Sequence, residues 1–376
     1  MNILIAPDSL KGSLTAKQAT KAIEKGVLSI YPEAETYCLP FSDGGEGALD
    51  FLSAHFRGNI QTVATVNAIG KKIKAPYYQM GEKAWVELSQ AAGLIQLKKE
   101  EQNPLKTSTY GVGLLIKEAL NKGCKHIYLG LGGSATHDLG LGLFCALGGV
   151  VRDENNEEFI PKGETLHKVR SIKLSKMDSR LQECPISVVC DVVNPLIGPN
   201  GAAHTFADQK GASATEILQL ETHTKQLSSI LQTLTSQKID TLEGGGAAGG
   251  TAAGMVALFG SSLQSGFDTF YEWADMDALI QKATFLITAE GCLDAQSKDG
   301  KVPLSLAQKV HKKKLPTFVI CGQLKLKPEV LKEYGILDYE SLMEATGSLE
   351  EAQNNAFKEV TKATQRLLKR NQIKRT

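Results

Sequence analysis

Asp8, Asp43, Asp191, Glu290 and Asp294 stand at or just beyond the ends of apolar runs, and Lys11, Lys210 and Lys301 lie in the loops nearby. Two glycine-rich stretches accompany them, Gly130-Leu-Gly-Gly-Ser-Ala-Thr-His-Asp138 and Glu243-Gly-Gly-Gly-Ala-Ala-Gly-Gly-Thr-Ala-Ala-Gly254. Carboxylates, ammonium groups and amide-rich loops are what phosphoryl transfer requires. The moving group must be positioned and its charge neutralised, by Mg²⁺ on carboxylates and by lysine or backbone N–H groups, with a carboxylate near the acceptor hydroxyl.

Other chemistries fit less well. No G-x-x-x-x-G-K-[ST] sequence occurs, and no H-R-D or D-F-G set. Around Ser134 the closing glycine of a hydrolase elbow is missing. Gly244, Gly246 and Gly249 formally satisfy G-x-G-x-x-G, but the preceding Gln237-Lys-Ile-Asp-Thr241 is too polar for the strand a dinucleotide site needs. A phosphate cradle, or tight helix packing through small residues, explains that stretch better. Each residue also has a plainer reading: Ser9 and Ser42 as turn formers, Lys11 as a solvated charge, Asp43 and Glu46 as first-turn partners of a helix dipole.

The elements around these residues predict an α/β chain. Asn2 to Ala6 and Glu35 to Leu39 read as strands, each followed by a loop and a helix; the first helix begins at Thr15 with Gln18 completing a capping box. Two successive βα units imply a parallel sheet whose carboxyl-end loops share one edge, where ligands bind in open α/β sheets. His126 to Leu131 is a further strand, turning at Gly132-Gly-Ser134 into a helical pattern through Leu147. That is a strand, a glycine elbow and a helix start, a junction suited to an anion. Gln61 to Leu97 alternates like antiparallel or mixed strands, so a second domain is expected to begin near residue 66. Asp191 ends an apolar strand and opens a loop stiffened by Pro195 and Pro199. The βα rhythm returns after Asp268, with a strand at Phe285 to Thr288 and another at Pro316 to Cys321. One closing helix is expected, capped by Ser348 and Glu351 and striped by Leu349, Ala352, Ala356, Val360, Ala363 and Leu367. The ends of the chain are expected to form one domain, 1–65 with 284–376, and residues 66–283 an inserted mixed α/β domain.

The 376 residues carry a formal net charge of +1, with 22% charged and 42% hydrophobic residues. Such a balance speaks against a nucleic-acid partner. No apolar run approaches the roughly 18 residues that span a bilayer, and Met1 leads straight into a strand, so a cytoplasmic protein without a membrane partner is expected. The seven cysteines are scattered without metal spacing and are expected to be buried, reduced thiols.

The stretches APDSLKGSLTA, LPFSDGGEGAL, LGLGGSATHDLGLGLFCALGG, CDVVNPLIGPNGAAHTFADQKGA, EGGGAAGGTAAGM and ITAEGCLDAQSKDGKVP together resemble the type I glycerate kinases, in order and over nearly the whole chain. The resemblance implies a cytosolic enzyme that moves the γ-phosphoryl group of ATP, with Mg²⁺, onto D-glycerate. The product would be 2-phosphoglycerate, with 3-phosphoglycerate or a related small hydroxy-acid substrate as the alternative. It also implies a Rossmann-like parallel-sheet domain from both chain ends, an inserted mixed domain, and an active site in the cleft between them. On that basis Asp191 is the first candidate for the carboxylate that takes or orients the hydroxyl proton, Asp43 the second, and Lys11 would neutralise developing charge. Glu290 and Asp294 would hold the metal. Gly132, Gly133, Ser134, Thr136, Gly244, Gly245, Gly246, Gly249 and Lys301 would bind nucleotide phosphates, and Asp8, Ser9, Lys11, Asn194 and Lys210 the substrate. Two positions depart from the family pattern. Cys292 replaces the arginine of G-E-G-R-x-D, a loss that Lys298 or Lys301 could make good, and His137 with Leu139 stands where S-A-T-N-D-G-G is usual. His137 reads as a polar replacement for asparagine rather than a base.

Overall fold

The computed structural model describes residues 1–42, 47–294, 297 and 301–371; Asp43, Glu46 and Lys298 lie outside the described residues. Backbone contacts divide the chain into two units, Met1–His55 with Gly266–Thr376, and Phe56–Ser265.

The first unit is built on a five-stranded parallel sheet in the order Ile336–Ser341, Thr317–Leu324, Phe285–Leu293, Asn2–Ile5, Glu35–Cys38. Ile3 lies opposite Phe285, and Ile5 opposite Ile287, so the two ends of the chain pair at the sheet centre. Helices cover such a sheet on both faces, which is why its strands read as continuous apolar runs. Ile3, Ile5, Phe285, Ile287, Phe318 and Ile320 are fully buried. The helix Ala16–Ile30 starts at the Thr15–Gln18 capping box and packs along Ala356–Asn371. Their approach depends on Gly26: a Cβ there would lie 2.6 Å from Thr364 Cβ and 2.8 Å from the Thr361 carbonyl.

The second unit carries a six-stranded mixed sheet in the order Ser262–Gln264, Ile186–Val189, His126–Gly130, Lys83–Glu87, Lys72–Met80, Asn59–Val66. The first four strands are parallel and the last two pair antiparallel. Ile127, Leu129, Val86 and Val188 form its buried centre.

The units meet the chain at 55/56 and 265/266 rather than at the expected 65/66 and 283/284. The reason is pairing. Asn59–Val66 is matched with Lys72–Met80 along its whole length, from Asn59 opposite Gln79 to Val66 opposite Lys72, so it belongs to one sheet throughout. At the other boundary Phe270 packs edge-on against Phe51 at 4.6 Å, which ties Gly266–Trp273 to the first unit.

Three local expectations are corrected. The closing helix is two: Ser348 caps only Leu349–Asn354, and the chain leaves helical geometry at Asn355 before Ala356–Asn371. Leu349, expected in the buried stripe, is 42% exposed, whereas Ala352 one turn on in the same short helix is buried. Of the cysteines, Cys124, Cys184 and Cys321 are buried and the other four partly exposed; all seven are free thiols. The helical pattern after the Gly132–Ser134 turn is interrupted, as described below. Among the described residues no helix is long and apolar enough to cross a membrane.

Filling the helix contact at Gly26 tests this packing. Gly26→Val is expected to cost about 1–3 kcal/mol through overpacking, read as a lower urea midpoint for the first unit.

Candidate active site

In the first unit the chain runs on from the strand Asn2–Ile5 beside its neighbour, with the Ala6 amide donating to the Ile287 carbonyl and the Asp8 amide to the Ala289 carbonyl, each at 2.9 Å. Asp8 is therefore set down next to Glu290. Both are buried, at 5% and 4% exposure. The Asp8 carboxylate accepts from the Ser9 amide at 2.6 Å, and the buried Ser9 hydroxyl has no hydrogen-bond partner among the described residues. Lys11 is exposed, and its amide lies over Gly291.

Lys301 precedes the helix Val302–His311 and reaches back to the same strand end. Its ammonium lies 3.0 Å from Glu290 Oε1 and 3.9 Å from Asp294 Oδ1. Burial works against the charge, but the Glu290 carboxylate, with Asp294, holds Lys301 above the ordinary lysine range. Cys292 Sγ is 3.9 Å from Asp294 Oδ2, and burial, with the Asp294 charge, pushes the thiol up. The cation beside these carboxylates is thus Lys301, not residue 292. Two hard oxygen donors converging on one positive charge match what Mg²⁺ takes from a protein, one or two carboxylates with substrate phosphates completing the shell. Among the described residues no larger group of His, Cys, Asp or Glu is placed to hold a metal.

In the second unit the strand His126–Gly130 ends at the glycine elbow, but the helix does not follow at once. Leu139 (φ 50°) and Gly140 (φ 72°) are left-handed, and the helix Leu141–Ala146 is only six residues long. Asp138 explains the detour. Its fully buried carboxylate accepts from the amides of Thr109, Gly140 and Gly142 at 2.7, 3.2 and 3.2 Å, and from the hydroxyls of Thr109 and Ser108 at 2.9 and 3.2 Å. The helix-start amides offered by the sequence to an incoming anion are already held by an internal one. Burial raises the Asp138 pKa, and the hydrogen bonds from Thr109, Gly140 and Gly142 work the other way.

The remaining anion-facing part is the turn itself. Gly132 and Gly133 are exposed, and neither amide donates to a described backbone carbonyl. Behind them Ser134 and Thr136 are buried, held by Lys210, whose ammonium donates to Ser134 Oγ and to the Thr136 carbonyl, each at 2.9 Å. Lys210 is 2% exposed. Burial pushes its pKa down to about 7, with the Asp138 carboxylate the opposing influence. His137 shares a 2.9 Å hydrogen bond with Thr224 Oγ1. Burial, then the charges of Lys210 and His223, push it down to about 3, so its ring is neutral.

The second glycine loop lies against the first. Ala248, Gly249 and Gly250 are all left-handed inside the nominal helix Ala247–Phe259, so the loop continues to Gly250. The Gly249 carbonyl accepts from the Leu139 amide at 3.3 Å, and a methyl group at Gly249 or Gly254 would collide with the carbonyl of Thr136 or Leu139. Gly246 donates to the Asn194 carbonyl, and a Cβ on Gly244 would lie 2.9 Å from the Val192 carbonyl. Much of this glycine content therefore serves close backbone packing, and it connects the elbow to the 191–194 segment. Asp191, just past the strand Ile186–Val189, accepts from the Ser265 hydroxyl at 2.8 Å and is half-buried. Asn194 donates to the Asn200 carbonyl at 2.9 Å. Within the second unit the structure gathers Gly132, Gly133, Ser134, Thr136, Lys210 and Gly249 around the elbow, and Asp191, Asn194 and Gly244–Gly246 along the adjoining loop. Within the first it gathers Asp8, Ser9, Lys11, Glu290, Asp294 and Lys301. Thr109 and Ser108, which hold Asp138, were not picked out from sequence; the run Thr107-Ser-Thr109 before a helix signals only a cap.

A model of the glycerate kinase family matches residues 3–372. The chain belongs to the glycerate kinase family. It is 36% identical to glycerate 2-kinase of Escherichia coli (strain K12) over 369 residues, 98% of this chain and 97% of that one. It is 38% identical to a glycerate kinase of Halalkalibacterium halodurans over 352 residues, 93% of each. A crystal structure from Salmonella typhimurium LT2 described as a candidate glycerate kinase 2 superposes with a TM-score of 0.84 at 35% identity, covering both chains completely. As a member of this family the protein is an enzyme, a kinase.

Lys210 carries a pH signature of its own. Its folded-state pKa of about 7 lies below the ordinary lysine value of 10.5, so between those values the unfolded chain holds a proton that the folded chain lacks. Stability then rises with pH across that window. The expected result is that Lys210→Met compares more favourably with wild type at pH 7 than at pH 9 in urea unfolding.

Proposed function

We propose that this family member phosphorylates D-glycerate with ATP and Mg²⁺ to give 2-phosphoglycerate, as a cytoplasmic enzyme. The observation that carries the reading is the family match from residue 3 to residue 372, and the relative named a glycerate 2-kinase supports the choice of hydroxyl.

The roles follow from the chemistry of each cluster. Glu290 and Asp294 would hold Mg²⁺, which when bound neutralises phosphate charge and orients the phosphates. Lys301, already beside both carboxylates, supplies a second positive charge for the nucleotide phosphates. The exposed Gly132 and Gly133 amides give donors to phosphate oxygens at the end of a strand, and Ser134, Thr136 and the Gly244–Gly249 loop complete and support that face. Ser9 and Lys11, next to Asp8, provide a hydroxyl and an ammonium for the glycerate carboxylate, and Lys11 also offsets charge developing in transfer. Asn194 adds an amide on the loop after Asp191. Asp191 accepts or orients the acceptor hydroxyl proton, with the Ser265 hydroxyl bond fixing the orientation of its carboxylate. Asp43 is the second candidate for that role.

Two experiments test this. In ³¹P NMR of the purified protein with D-glycerate, ATP and Mg²⁺, phosphorus coupling is expected to show an ester on C2; an ester on C3 would overturn the choice of hydroxyl, and no turnover from folded protein would overturn the activity. Asp191→Asn is expected to lower kcat by about 10²-fold or more, the range of a lost general base, with a smaller change in KM. A near-normal kcat would move the proton-accepting role to another carboxylate.

A further inference from the structure

Lys210 ends the short helical turn Asp208–Lys210, and Gly211 in a left-handed conformation (φ 94°) then carries the chain away. Its side chain runs inward. An ammonium has three donors and no acceptor, and two of the donors go to a single loop, to Ser134 Oγ and the Thr136 carbonyl on either side of Ala135. Other bonds fix the loop elsewhere: Ala135 donates to the Ala92 carbonyl at 2.8 Å, and Leu94 to the Gly133 carbonyl at 3.0 Å. Gly132 and Gly133 are the exposed part of this loop, and among the described residues neither amide donates to a backbone carbonyl. A charged group buried behind a loop whose exposed tip carries amides without a backbone partner among the described residues is arranged to hold the loop rather than to touch a ligand.

We propose that Lys210 is a positioning residue for phosphate binding: its ammonium clamps Ser134 and Thr136 from inside the second unit and so holds the Gly132 and Gly133 amides in register for nucleotide phosphate oxygens. This rests on the reading that the elbow meets those phosphates, and it takes Lys210 out of direct contact with the glycerate carboxylate. The titratable groups around the ammonium are Asp138 and His137 from the elbow, and His137 in turn faces His223 from the helix Ala214–Thr235. His137 is neutral, so Asp138 supplies the counter-charge, while its own oxygens hold Thr109, Gly140 and Gly142. Charge-assisted bonds are roughly twice as strong as neutral ones, so the clamp is firm while the lysine is protonated and loosens as it loses its proton. A polyanion on the outer side of the loop favours the charged form, and by linkage the charged form favours the polyanion.

The test is steady-state kinetics of wild type, Lys210→Met and Lys210→Arg, with thermal unfolding of each. For Lys210→Met the KM for ATP is expected to rise about tenfold, the loss of one charge-assisted contact, while the KM for D-glycerate stays near wild type. Wild-type KM for ATP is expected to rise as pH passes upward through about 7 relative to Lys210→Met, which lacks the group. Lys210→Arg keeps its charge, so it recovers part of the affinity and shows no such rise. Folded Lys210→Met with an unchanged KM for ATP would overturn the proposal, and so would a rise confined to the KM for D-glycerate, which would make Lys210 a direct ligand. A Gly132→Ala, Gly133→Ala double variant separates this from the underlying reading. If that variant leaves the KM for ATP unchanged, the elbow does not meet phosphate and both fall; if it raises KM while Lys210→Met does not, only the clamp falls. Should Lys210→Met fail to fold, Ser134→Ala removes one arm of the clamp. A severalfold rise in KM for ATP then supports the proposal, and no change overturns it.

Discussion

The carboxylate of Asp138 is the constraint on which the second unit's site depends. A buried ion must be met by hydrogen bonds or it costs several kcal/mol, and here three amides and two hydroxyls meet it. Those donors come from two places in the chain, the start of the helix Tyr110–Asn121 and the start of the helix Leu141–Ala146. Satisfying one charge therefore fixes where both helices begin, and it forces Leu139 and Gly140 into left-handed backbone between them. The elbow is left standing clear of the helix as a separate loop.

That arrangement explains why the two glycine-rich stretches are so close in space and so unlike in duty. The first has exposed amides at its tip. The second is pressed against the backbone of residues 136–139, and side chains at Gly249 or Gly254 have no room there. Small residues let the Ala247–Phe259 segment approach closely enough for Leu139 to bond to Gly249, beside the Thr136 carbonyl that Lys210 also holds.

The first unit solves a different electrostatic problem. Glu290 is buried within the central parallel strand Phe285–Leu293, where an uncompensated carboxylate would be costly, and Lys301 provides the compensation. The same ammonium reaches Asp294, so the pair is held converging on one point. Cys292, at the position where the family pattern carries an arginine, adds no charge, and the positive charge of this corner comes from the next helix instead.

The presence of the main strands and the polar or glycine-rich loops that follow them were legible from the residues alone. Fully buried parallel strands must be apolar, loops at their carboxyl ends must be polar or glycine-rich, and those periodicities are local. Asn2–Ile5, His126–Gly130, Ile186–Val189 and the first half of Phe285–Leu293 were legible for that reason, as was the Thr15–Gln18 cap. The family resemblance rested on motifs of the same local kind. Tertiary structure alone decided what each polar group spends its bonds on. Nothing in the sequence around Asp138 says that it will accept from Thr109, some thirty residues earlier, or that Lys210 will lie buried against Ser134, because those partners are set by how the helices and strands pack. For the same reason the strand Asn59–Val66 went whole to one sheet, and the pairing of Glu290 with Lys301 became visible only once the helix after Lys301 had folded back on its strand.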